Sequence, residues 1–172
     1  VVVTALGLKK ETKALTYNVQ QISSDEITKV KDVNVMSSLA GKVAGVSINS
    51  SSAGIGGGAR VVMRGTKSIS GNNNALYVVD GVPLPSSYGS SPAGRYEGAG
   101  QTGDGISNFN SDDIESISVL SGSAAAALYG SAAANGVVLI TTKKGAAGKT
   151  NVSYSNNSTF YSPFVMPKFQ NT

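Results

Sequence analysis

Residues 119–142, VLSGSAAAALYGSAAANGVVLITT, carry no charged side chain. A run of that length can cross a membrane, link two domains or line the inside of a fold, and the three readings lead to different proteins. A transmembrane helix needs about 20 predominantly apolar residues. Here Ser121, Gly122, Ser123, Gly130, Ser131, Asn135 and Gly136 interrupt the run, and Val and Ile gather at its two ends. A flexible linker does not contain a β-branched block such as VVLITT. The stretch therefore reads as a strand, one to two turns of helix over SAAAALY closed by Gly130, and a second strand introduced by Asn135-Gly136. The alanines let the helix lie close against a sheet.

The rest of the chain follows the same short rhythm. Two β-type runs, VVVTALGL and ALTYNVQQI, open the sequence, and in the second Leu15, Tyr17 and Val19 alternate with polar neighbours. Ser24 or Asp25 is expected to cap a short helical turn, and Asp32 to cap a longer helix ended by Gly45. In that helix Val35, Leu39 and Val43 recur at i, i+4 and i+8, with Met36 and Ala40 widening the stripe. A strand at 46–48, a loop SSSAGIGGG and a strand ARVVMRG come next. ALYVVDGVPL reads as a tight hairpin turning on Asp80-Gly81, with Pro83 confining the second arm to an edge. Residues 85–110 are rich in Ser, Gly, Pro and Asn; loops of that length are usually functional or disordered, and contacts with another molecule belong there. SDDIESISVLSG gives a capped turn and a strand with Ile114, Ile117 and Val119 apolar. From Asn151 onward the chain alternates again, as Val152 and Tyr154.

The chain has no Cys and no His, which removes thiolate nucleophiles, imidazole bases, disulfides and the usual transition-metal ligands. No G-x-S-x-G elbow occurs, and Asp112, Asp113 and Glu115 precede a strand, where capping is more economical than acid–base work. An enzyme is not expected. Gly54 to Ala59 fit a loose dinucleotide fingerprint, but a strand pattern follows where a helix is required. Asn108, Asn110 and Asp112 occupy the first, third and fifth places of a calcium loop, whereas Asp113 and Val119 stand where Gly and Glu are needed. A looser calcium site using Asp104, Asn108, Asn110 or Asp112 stays open beside the commoner role of Asn and Asp in capping turns. The net charge of +4 comes from scattered lysines and arginines without a long basic run, so nucleic acid is not an expected partner. Arg60 and Arg64 are four apart in a strand pattern that is otherwise Val61, Val62 and Met63. Residues four apart on a strand share a face, so both guanidinium groups are expected to project together towards carboxylates of a partner surface.

Taken in order, VVVTALGLKKETKALTYNVQQIS, VMSSLAGKVAGVSI, ARVVMRG, ALYVVDGVPL and SDDIESISVLSGSAAAALYGSAAANGVVLITTKKGAAGKTNVSY resemble the plug domain of TonB-dependent outer-membrane transporters, in particular the SusC/RagA branch of Bacteroidota. The resemblance covers most of residues 1–155. It implies an α/β (α+β) plug with a small mixed sheet, short helices and long loops over residues 1–147. Residues 148–172 would then be a linker and the start of the first strand of a 22-stranded barrel. It implies a gate in the barrel lumen, facing the periplasm, that blocks the lumen until the TonB-ExbB-ExbD complex pulls on it. The implied companions are a SusD-type surface lipoprotein and an oligosaccharide or peptide substrate. Arg60 and Arg64 would meet barrel carboxylates. Gly56, Gly57, Ser87, Tyr88, Arg95 and Tyr96 would lie in loops facing substrate. No cofactor is implied. The branch usually places a basic residue where this chain has Ser121, and often Arg where it has Ala132.

The chain opens without an initiator Met or a signal-peptide pattern and stops within an alternating run, so it is expected to be a piece of a longer protein. The TonB-engaging segment would precede Val1 and the barrel would follow Thr172. The alternative is a stand-alone plug associating with a separate barrel, or a structural or adhesive module. A reading frame continuing into about twenty further alternating segments distinguishes the transporter.

Overall fold

In a computed structural model the described residues are 2–3, 9–10, 19–29, 31–32, 34–50, 57–69, 73–84, 105–145 and 148, together with 152, 154, 156, 158 and 160. The elements run β1 (Val2–Val3), β2 (Lys9–Lys10), β3 (Val19–Ser23), α1 (Ser24–Thr28), β4 (Val46–Ser50), β5 (Ala59–Met63), β6 (Leu76–Val79), β7 (Val82–Leu84), β8 (Ile114–Leu120), α2 (Ser123–Tyr129) and β9 (Val137–Thr142). Short 3-10 turns stand at Ser37–Leu39, Gly105–Asn108, Ser111–Asp113 and Ser131–Ala133.

One five-stranded sheet, ordered β3-β8-β9-β6-β7, organises the molecule. β6 and β9 are parallel and every other pair is antiparallel. β4 and β5 form a separate antiparallel ribbon, as do β1 and β2. The ribbon is tied to the sheet where Ala75 N–H donates to Val61 O at 2.9 Å and Tyr77 Oη donates to Ala59 O at 3.0 Å.

Strand alternation divides the core into two layers. On one face Ile22, Ile117, Val119, Val138, Ile140, Tyr77 and Val79 pack beneath Ile27 of α1, beneath Val35, Met36, Leu39 and Val43, and beneath Ala59, Val61 and Met63 of the ribbon. On the other face Leu120, Val137, Leu139 and Val78 lie under Ala125 of α2 and Ala133 of the following turn. The uncharged stretch is therefore part of the fold: two strands buried in the central sheet and a small-residue helix that buries Ala125 against it and exposes its outer side, Leu128 included. No helix among the described residues is long and apolar enough to cross a membrane.

The turn residues behave as their chemistry requires. Asp80 and Gly81 both take positive φ, 49° and 89°, the requirement of a type I′ hairpin turn. Asp80 also accepts from Thr142 N–H at 3.0 Å and from Thr142 Oγ1 at 2.6 Å, which staples the turn to the end of β9. β7 is an edge strand, as Pro83 requires. α2 ends where Gly130, at φ 75°, donates its N–H to Ala126 O at 2.8 Å.

Three expectations are corrected. The helix expected after Asp32 is a single 3-10 turn, Ser37–Leu39. Gly41 and Gly45 adopt left-handed φ of 77° and 73°, so no second turn can follow, and one turn alone does not offset the cost of nucleation. Val35, Met36, Leu39 and Val43 are buried all the same, while Ala40 is exposed and adds nothing to the stripe. The short helix α1 has Ser23 rather than Ser24 or Asp25 at its N-cap, with no side-chain cap bond. Asp25 and Glu26 instead lie in its first turn, where negative charge is favourable. β5 ends at Met63, before Arg64. Val152, Tyr154, Asn156, Ser158 and Phe160 are exposed, and most of residues 148–172, read above as a linker and the start of a barrel strand, lie outside the described residues.

Candidate functional site

The two arginines have different surroundings. Arg60 remains on β5, opposite Asn49, half-buried, and its Nε donates to Asn74 Oδ1 at 3.3 Å. Arg64 lies just past the strand with φ 56°, a left-handed conformation uncommon for a non-glycine residue, and its N–H donates to Gly45 O at 2.9 Å. This reversal takes Arg64 out of the two-residue alternation, so the shared face expected of the pair does not form. A guanidinium on an exposed turn is free to meet a carboxylate from outside, and among the described residues no ion pair includes it.

Arg64 lines a cleft of about 60 Å³ with Gln20, Ala44, Gly45, Val46, Met63, Val119 and Ser121. Gln20 Oε1 accepts from Ala44 N–H at 2.9 Å and closes one side. A Cβ added at Gly122 would lie 4.0 Å from Arg64 Nη1. The cleft is too small for a nutrient, but it brings Arg64 beside Ser121, the position at which a basic residue had been expected.

The candidate loop residues divide between those described and those outside. Gly57 is half-buried, and its carbonyl accepts from Asn34 Nδ2 at 3.2 Å. Gly56, Ser87, Tyr88, Arg95, Tyr96 and Asp104 lie outside the described residues. Of the calcium candidates, Asn108 is exposed in the turn Gly105–Asn108. Asn110 uses Oδ1 to accept from Asp112 N–H at 3.0 Å, and Asp112 pairs with Lys31 Nζ at 2.8 Å. The cap at Asn110 is the role that a turn before a strand calls for. Among the described residues no group of three or more Asp or Glu is placed to hold a metal ion. Asp113 and Glu115 are exposed, and the β8–β9 register shifts between Ile114 and Ser116.

Sequence reasoning missed the buried asparagines. Asn73 accepts from Lys67 and Ser68 N–H, each at 2.8 Å, and donates Nδ2 to Ser68 O at 2.7 Å, so one side chain frames the loop after Arg64. Asn74 receives Arg60, and Asn34 holds Gly57. What sets these asparagines apart is that a buried amide must be satisfied.

The described residues form a small mixed α/β domain with an exposed arginine just past β5, and with Gly57 and the turn at Asp112 each held by a side chain from the segment after α1. The family model of the TonB-dependent Receptor Plug Domain matches residues 11–137. The TonB-dependent receptor SusC of Bacteroides thetaiotaomicron is 38% identical over 161 residues, 93% of this chain and 15% of that protein. The structure of the RagAB peptide importer in its open-open state superposes with a TM-score of 0.64 at 29% identity, covering 87% of this chain and 15% of its counterpart. A crystal structure of the ferric enterobactin receptor of Pseudomonas aeruginosa matches with a TM-score of 0.55 at 34% identity, over 75% of this chain and 18% of that one. The chain belongs to the TonB-dependent receptor plug domain family. It spans about 15% of the length of SusC. TonB-dependent receptors are outer-membrane transport proteins rather than enzymes.

Proposed function

We propose that this domain is the gate of a SusC-like importer: it occupies the lumen of a 22-stranded barrel on the periplasmic side, blocks passage, and rearranges when TonB-ExbB-ExbD draws on it. The observation that carries the reading is the similarity to SusC across nearly the whole chain. The turn geometry supports it, because Arg64 is exposed in a left-handed conformation. Barrel carboxylates would meet Arg64 first, with Arg60 drawn in only if its bond to Asn74 is exchanged. A SusD-type lipoprotein would close the outer side, and the cargo class is oligosaccharide or peptide. The loops holding Gly56 and Gly57, and Ser87, Tyr88, Arg95 and Tyr96, would face that cargo. No cofactor takes part.

The test is conductance of the full-length receptor in a planar bilayer. Arg64→Ala is expected to raise the frequency of open events relative to wild type. An unchanged conductance trace would remove Arg64 from the gate.

A further inference from the structure

Two stretches assigned to the ligand side enter the described fold at Gly57 and at residues 105–113, and one short piece of chain holds both. Asn34 is only 4% exposed. Its Nδ2 donates to Gly57 O at 3.2 Å while its Oδ1 accepts from Met36 N–H at 2.9 Å. Met36 is fully buried in the larger core layer, so the amide plane of Asn34 is set from the inside and aimed at the loop base. Three positions earlier, Lys31 Nζ pairs with Asp112 at 2.8 Å. Asp112 belongs to a turn that is itself fixed: Asn110 caps its N–H, and its carbonyl accepts from Lys143 Nζ at 2.7 Å. The contacts span 23 positions for Asn34–Gly57 and 81 for Lys31–Asp112, so neither follows from local structure.

We propose that the segment bearing Lys31 and Asn34 is a clasp, a pair of positioning residues that ties Gly57 and the 105–113 turns to one piece of chain so that the two loop bases move together. The clasp is continuous with α1 and with the edge strand β3, so displacing that end of the chain withdraws both contacts at once. Its functional weight rests on the reading of the two loops as ligand-facing; the mechanical coupling does not.

Hydrogen–deuterium exchange on the ligand-free full-length protein in nanodiscs tests it. Asn34→Asp keeps the acceptor for Met36 and removes the donor to Gly57; Lys31→Gln removes the charge that holds Asp112. Each variant is expected to speed exchange about tenfold at residues 57–59 and also at residues 105–113, the scale of one lost buried hydrogen bond, with amides of β8 and β9 unchanged. Faster exchange only at the base that lost its own contact overturns the clasp and leaves two independent anchors. If Asn34→Asp disturbs β8 and β9, Lys31→Gln, whose side chain is a quarter exposed, decides the matter: a change at residues 57–59 supports the clasp and none there overturns it. Loops that proved not to meet ligand would leave this exchange pattern intact, so the two failures are told apart.

Discussion

The two faces of the central sheet are closed by opposite means. One is filled by large side chains from three separate segments, around Ile117, Met36 and Val61. The other is closed by Ala125 of a short helix, with Tyr129 partly buried beside it, and by Ala133 of the following turn. A face filled by bulk loses stability when a side chain is shortened, whereas a face closed over small residues loses it when one of them is lengthened. The difference also separates what is local from what is not, because α2 follows β8 directly while the large-residue layer gathers chain from Ile22 to Ile140.

That contrast can be broken from each side. Ile117→Ala, at a position with no solvent exposure, is expected to cost about 4 kcal/mol through lost transfer energy and a residual cavity. Urea titration of the plug followed by hydrogen exchange measures it, and a cost below about 1 kcal/mol would mean that the layer collapses to fill the gap. Gly136→Ala, where the layers meet, is expected to cost about 3 kcal/mol by the same assay. Its Cβ would run into the Met63 side chain and lie 3.1 Å from Leu120 O, at a φ of 110° that L residues rarely adopt. Ala125→Leu on the alanine-closed face is expected to cost about 2 kcal/mol by lifting α2 from Val137 and Leu139. If Ala125→Leu instead stabilises the domain, that face does not depend on a small residue at Ala125 and the contrast fails.

Legibility in the sequence followed the reach of the forces involved. The Asp80-Gly81 hairpin, the edge placement of β7, the Asn135-Gly136 entry into β9 and the close of α2 at Gly130 were all readable, because a turn's φ requirement and a strand's alternation are satisfied by neighbours in the chain. The stripe Val35, Leu39 and Val43 was read correctly as buried and wrongly as a helix. Burial depends on side-chain type, but continuing a helix depends on backbone that Gly41 and Gly45 turned elsewhere. For the site, the importance of Arg64 was visible and its geometry was not. The strand ends at Met63, two residues short of the expected run, and Gly45 accepts the N–H of Arg64.

Sequence alone determined the family, through resemblance to known plugs, and it determined the strand and turn vocabulary and the strand–helix–strand reading of residues 119–142, since these last rest on residue type and spacing. Only the tertiary structure decided that Arg60 pairs with Asn74 while Arg64 opens onto a cleft beside Ser121, and that Asn34 and Lys31 reach Gly57 and Asp112. Those outcomes depend on which distant segment supplies the partner, and a buried amide or a turned arginine takes whichever acceptor the completed packing leaves within reach.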